Sequence, residues 1–186
     1  MTFAIAPLRP DEVESLCVLA RTVWRDHYPP IIGIAQTEYM LAQRYDPEVI
    51  RDELDRDDLW WDIVRDEGAM AGFASSLVLE TGCTLKLDKL YVDPARQRMG
   101  YGGALLRRVV ERASQLGFSR VVLAVNKRNA SAIGAYHKYG FKIAESVVTD
   151  IGGGFVMDDY ILERAVNREP PPATEVREAG TEKRQP

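Results

Sequence analysis

The sequence predicts one α/β (α+β) domain built on a mixed central sheet, and three observations carry that expectation. Apolar runs at 59–64, 70–80 and 85–92 are separated only by short turn signals, Asp66-Glu67-Gly68 and Thr81-Gly82, which is the pattern of an antiparallel meander. The run at 85–92 then passes through a glycine-bearing loop into a long amphipathic helix and on to another apolar run at 121–125. A strand reached through a helix in this way favours parallel pairing with the strand before it. Finally, 186 residues of ordinary globular composition suit a single hydrophobic core.

Taken in order, residues 3–8 alternate enough for a first strand. Arg9-Pro10-Asp11 opens a helix with Asp11 as N-cap, and Val13, Leu16, Ala20, Val23 and Trp24 recur at helical spacing. Pro29-Pro30 and Gly33 close it. Further helices are expected at 37–44 and at 47–54, the second with Pro47 in its first turn. After the meander, Asp93-Pro94 stops the third strand because proline has no N–H to donate to a sheet. A helix from Ala104 carries Leu105, Leu106, Val109, Val110, Ala113 and Leu116 on one side and ends at Gly117. Asn129 is placed to cap a helix over 130–139 that Gly140 ends. Two last strands, 142–149 and 155–165, flank a hairpin turn at 150–154. The domain is expected to span 1–166. From Asn167 proline and charge dominate, so 167–186 is expected to be a disordered tail.

Composition narrows the function by exclusion. A net charge of −4 provides no broad basic field, so a nucleic-acid partner is not expected. Cys17 and Cys83 have neither metal-ligand spacing nor a disulfide framework and read as reduced thiols, buried or half-buried. The N-terminus lacks the layout of a signal peptide, and no run reaches the ~18 apolar residues of a membrane span. A cytoplasmic protein without a membrane partner is the expectation.

The chemistry concentrates between the third strand and the following helix. The first backbone N–H groups of a helix have no internal partners, and the helix dipole makes that end favour anions. Gly100, Gly102 and Gly103 let backbone approach a ligand with no side chain between. The local physics therefore points to a phosphate or pyrophosphate, with Arg96 and Arg98 as neighbouring cations. A P-loop would end in Gly-Lys-Ser/Thr, whereas Gly103 is followed by Ala104 and Leu105. A dinucleotide fingerprint would need a third glycine, which Leu105 replaces.

What remains, Gln97-Arg98-Met99-Gly100-Tyr101-Gly102, resembles the Q/R-x-x-G-x-G/A acyl-CoA loop of the GNAT (Gcn5-related N-acetyltransferase) superfamily. Downstream, the stretch from Asn129 through Ala132 and Tyr136 to Gly140-Phe141 is similar to that family's N-x-x-A-x-x-x-Y-x-x-x-G-F signature. The resemblance covers residues 85–142.

It implies a single GNAT-fold domain with helices on both sheet faces and two parallel strands that splay apart around acetyl-CoA. Acetyl-CoA is then the co-substrate and no metal is expected. The backbone of Leu90, Tyr91 and Val92 would pair with the pantetheine arm, one N–H there facing the thioester oxygen. Gln97, Arg98, Met99, Gly100, Tyr101, Gly102 and Gly103 would hold the pyrophosphate. Asn129 would contact pantetheine, cap its helix, or both. Tyr136 looks like the general acid for the leaving thiolate. Where several histone-type members carry a glutamate base, this chain has Lys86. Asp88, two residues before Leu90 and so expected on the same strand face, is the proposed base, with Glu80 and Asp159 as alternatives. Trp24, His27 and Tyr28 would wall the acceptor pocket. His137 would point to the surface, and Lys138 with Arg98 could meet the adenosine phosphates. The activity implied is acetyl transfer to a primary amine of a small molecule, polyamine-like or similar, by direct attack in a ternary complex. The alternatives are a protein lysine or N-terminal acetyltransferase and a non-catalytic acyl-CoA-binding module. A nucleotide-dependent enzyme on an unrelated fold is a further rival. The sequence leaves a homodimer open.

Overall fold

A computed structural model describes residues 3–79 and 83–166; Glu80, the Thr81-Gly82 turn and the expected tail from Asn167 lie outside the described residues. Seven strands form one sheet: β1 (Phe3–Pro7), β2 (Leu59–Asp66), β3 (Ala69–Val78), β4 (Thr84–Val92), β5 (Arg120–Asn126), β6 (Lys142–Gly152) and β7 (Phe155–Ala165). Their spatial order is β1-β2-β3-β4-β5-β7-β6. Only β4 and β5 run parallel; the other five pairings are antiparallel. The meander and the parallel crossover expected from the pattern are both present.

The helices are α1 (Val13–His27), α2 (Pro29–Ile32), α3 (Ile34–Arg44), α4 (Pro47–Leu54), α5 (Tyr101–Gln115) and α6 (Ala130–Lys138). They cover both sheet faces. On one, α5 inserts Leu105, Leu106, Val109 and Ala113 against Leu85, Leu87, Val121 and Leu123. On the other, Leu16, Ala20 and Trp24 of α1 and Met40 and Leu41 of α3 pack with Trp61, Ile63 and Phe73. Both stripes recur at helical spacing, which is why burial selects these faces. No helix among the described residues is long and apolar enough to cross a membrane.

Several boundaries differ from expectation for local reasons. Residues 10–12 form a 3-10 turn, in which the Arg9 N–H donates to Glu12 at 3.0 Å, so α1 starts at Val13 and Asp11 does not cap it. The Pro29-Pro30 pair begins another helical turn instead of a stop, as proline suits a first turn. Gly33, at φ 84°, then redirects the chain into α3 three residues earlier than the pattern indicated. Likewise Gly100, left-handed at φ 88°, allows α5 to begin at Tyr101 rather than Ala104.

The feature that positions the site lies in β4. It pairs with β5 at only three positions, Thr84 with Arg120, Leu85 with Val121 and Lys86 with Val122. Farther on, β4 stays with β3 while β5 stays with β7, so the sheet splits. The register on β3 supplies the cause: Ser75 faces Lys89 and Ser76 faces Leu87, leaving Asp88 as an extra residue in a β-bulge. A bulge bends its strand and increases its twist. Pairing with β5 ends two residues before this one.

The bulge also overturns the expected placement of Asp88. Leu85 and Leu87 join the core under α5, and Leu90 and Val92 pack against that core beyond the bulge. Asp88 instead bonds Arg44 of α3, on the opposite face. The one-residue insertion breaks simple alternation, so Asp88 and Leu90 do not share a face.

Candidate active site

The split opens a cleft of about 470 Å³ that crosses the sheet between β4 and β5. Its walls include Leu90, Tyr91 and Val92 from β4, Leu123, Val125 and Asn126 from β5, and Gln97, Arg98, Gly100, Tyr101, Gly102 and Gly103 from the loop and first turn of α5. Asn129 and Tyr136 close it from α6. Tyr136 and α5 pack on the same core, so the phenol and the helix mouth share one side of the sheet. The structure therefore gathers nearly all of the sequence-expected residues around a single opening.

At the mouth, no side chain caps α5 at Gly100. The first N–H groups of α5 are left by helix geometry to an outside acceptor. The glycines differ in what they do. A Cβ on Gly102 would meet Val92 and Leu90 at 3.6 and 3.8 Å, ordinary contact distances, so packing does not demand glycine there. A Cβ on Gly103 would lie 1.8 Å from the Tyr139 hydroxyl, so that glycine makes room for the α5–α6 junction. Arg98 is also left-handed, at φ 63°, an uncommon state for a residue with a side chain and one that shapes the loop.

Some expected ligand groups have other work. The Tyr101 hydroxyl donates to Asp66 at 2.7 Å, and its ring meets Phe3 edge-on, which ties the start of α5 to β1 and β2. Arg96 pairs with Asp66 at 3.5 Å and does not line the cleft. The Met99 side chain is also outside the lining, as is Lys138. His137 is exposed, with Nδ1 2.9 Å from the Phe141 carbonyl oxygen. Asn129 Oδ1 accepts from the Ala132 N–H at 3.3 Å, so the cap is in place, and the residue also lines the cleft. Cys17 is buried, whereas Cys83 is exposed, contrary to expectation.

Asp88 has its charge fully engaged. Arg44 at 2.7 Å, Lys86 at 2.8 Å and Lys89 at 3.0 Å all reach its carboxylate. Burial would raise its pKa, but the charges of Arg44, Lys89 and Lys86 outweigh that and hold it far below the usual carboxylate range. Such a group is a poor proton acceptor near neutral pH. Lys89, itself buried, also donates to Glu53 and lies 4.9 Å from the Trp61 ring centroid.

Tyr136 has the opposite character. It is half-buried by area because the cleft opens onto it, yet its crowded surroundings, and then Tyr28, push the phenol well above its ordinary value. It therefore keeps its proton. Across the cleft stands an aromatic wall: Trp24 and Tyr28 centroids are 4.3 Å apart, and the Tyr28 and Tyr91 hydroxyls are 3.1 Å apart. Trp24, His27 and Tyr28, expected at the acceptor side, all line the cleft, joined by Arg44, Met157 and Asp159. Sequence reasoning missed Arg44 completely. Its only signal was a cation in the last turn of a helix, which is usually a solvated feature.

Residues 21–141 match the family described as the acetyltransferase (GNAT) family. An uncharacterized N-acetyltransferase of Mycobacterium tuberculosis is 33% identical over 100 residues, 54% of this chain and 63% of that protein. The chain thus matches less than two thirds of that relative's length. A spermidine N(1)-acetyltransferase of Thermoplasma acidophilum is 25% identical over 162 residues, 85% of this chain and 97% of that protein. The crystal structure of the PaiA N-acetyltransferase from Thermoplasma acidophilum in complex with coenzyme A superposes with a TM-score of 0.78 at 23% identity, covering 89% of this chain and 99% of the other. That likeness is one of fold.

Proposed function

We propose a function from one premise: the chain belongs to the acetyltransferase (GNAT) family. It moves an acetyl group from acetyl-CoA to a primary amine of a small, polyamine-like molecule, by direct attack while both are bound. The observation that carries this reading is the split sheet, whose open edges share one cleft with an uncapped helix start and Tyr136. The free backbone of β4 beyond Lys86 offers unpaired polar groups to an amide-bearing pantetheine arm. The start of α5, with Arg98 and Gln97 beside it, suits a pyrophosphate. Acetyl-CoA as co-substrate fits both features.

Acetyl-CoA supplies an activated carbonyl. The chain's own residues supply orientation and proton control. A backbone N–H near Leu90 or Tyr91 would stabilise charge developing on the thioester oxygen. Tyr136 holds its proton at neutral pH and delivers it to the departing sulfur, a step of the kind that contributes roughly 10²–10⁴ in rate. Neither Cys17 nor Cys83 lines the cleft, which favours direct attack over a covalent acyl-enzyme. The small-molecule acceptor draws support from the aromatic wall and from the match along 97% of a spermidine N(1)-acetyltransferase.

The test is release of free CoA from acetyl-CoA against a panel of polyamines, amino acids and peptides. Turnover with small amines is the expected result. Turnover with peptides alone would move the reading to a protein acetyltransferase. CoA binding with no turnover on any acceptor would leave a binding module.

A further inference from the structure

We infer that Asp159 is the acceptor's receiving group: its carboxylate docks the cationic amine inside the cleft and takes the proton that must leave nitrogen before attack. This rests on the acetyl-transfer reading above and assigns the group that reading lacks.

The geometry singles out this residue. Asp159 lies on β7 opposite Asn126 of β5 and Val147 of β6, at the open end of the split. It lines the cleft, is only 6% exposed, and its Oδ1 is buried with no hydrogen-bond partner among the described residues. A buried carboxylate without a partner is costly to keep. Nearby cations are committed elsewhere: Arg44 and Lys86 to Asp88, and Lys127 to Asp158. A cation brought into the cleft from outside would supply the partner that Oδ1 lacks.

A second, independent feature points to the same chemistry. Trp24, Tyr28 and Tyr91 present a joined aromatic surface to the cleft, and such faces attract ammonium groups. Asp159, Tyr28 and Tyr136 all line the same cleft. The carboxylate, the aromatic wall and the acid thus address one region. Burial and then Asp158 raise the Asp159 carboxyl above its usual range, against the opposing pull of Arg44, Lys127 and Lys86. A carboxylate with raised proton affinity is the better base.

The proton balance closes. The ammonium gives one proton to Asp159, and the freed lone pair forms the carbon–nitrogen bond as the carbon–sulfur bond breaks. Sulfur leaves with the proton of Tyr136. The second nitrogen proton restores the phenol, and Asp159 passes its own to water, so one proton is released per turnover.

The experiment compares the full chain with Asp159→Asn, a near-isosteric change at a position whose Oδ1 holds nothing. With acetyl-CoA and spermidine, or whichever panel amine reacts best, kcat/KM should fall about 100-fold. The acidic limb of its pH profile, set by Asp159 ionising, should disappear, while the Kd for CoA stays within about twofold. A variant that keeps both rate and acidic limb, or that loses CoA binding as well, overturns the assignment and leaves acetyl transfer standing. If the unaltered protein acetylates no amine, the acetyl-transfer reading fails instead. Carboxyl-labelled aspartate then decides this point by NMR: spermidine added to the CoA-loaded protein should shift a resonance absent from Asp159→Asn. No shift overturns the inference.

Discussion

Asp88 and Asp159 occupy two sides of one cleft, and their surroundings could hardly differ more. On the β4 side three cations converge on a carboxylate; on the β7 side a buried carboxylate oxygen meets none. Asp88 is the extra residue of the bulge, and its ion pairs tie the bent strand to α3. Asp159 sits in undistorted pairing between β5 and β6, where the backbone needs nothing from its side chain. The same residue type is a structural pin where its neighbours neutralise it, and the proposed reactive group where they leave it alone.

Substitutions at and between these sides put that contrast to the test. The largest effect is expected at Tyr136, the proposed acid. Tyr136→Phe should lower turnover by about 10²–10⁴-fold, roughly 3–5 kcal/mol of barrier, with CoA affinity nearly unchanged. Steady-state kinetics beside calorimetric CoA binding reads both; unchanged turnover removes the phenol from the mechanism.

Next comes Asp88→Asn, which strands Arg44, Lys86 and Lys89 and should cost about 3 kcal/mol in denaturant unfolding. The sign with pH is specific. Because its folded pKa is depressed, Asp88 contributes stability that is present above about pH 4 and drains away as pH falls toward the folded value. Asp159 has a raised folded pKa, so ionising it costs stability as pH rises through that value. Asp88→Asn should therefore flatten acid unfolding, while Asp159→Asn should not weaken the fold near neutrality. If Asp88→Asn erased the acidic limb of the rate profile, the two carboxylates would have exchanged roles.

Gly102→Val addresses the mouth rather than either side. Its Cβ would fit, yet its methyls would stand where backbone should meet phosphate. CoA Kd should rise by more than about tenfold, about 1.4 kcal/mol, with little change in melting temperature. Normal CoA binding would place the pyrophosphate elsewhere. The smallest effect belongs to Asn129→Ala. Loss of the α6 cap should lower stability by about 1 kcal/mol, visible in the unfolding midpoint.

Much of this was legible in the chain. The meander showed in alternating runs and turn residues, and the crossover showed in the helix between two apolar strands. Gly100, Gly102 and Tyr136 stood out because each motif is local, and its spacing survives any detail of packing. Asp88 misled because side-chain alternation holds only while pairing is regular, and the insertion opposite Ser75 and Ser76 cannot be seen from β4 alone. Arg96 misled similarly: its partner Asp66 is 30 residues away.

Which segments become strands and helices, and the bare helix start after β4, could be read from the chain, because these depend on neighbours within a few residues. The tertiary structure decided how two aspartates would be charged, because protonation answers to burial and to ions brought from distant segments. Arg44 from α3 reaches Asp88, and Lys127 passes over Asp159 for Asp158. Only folding makes those choices.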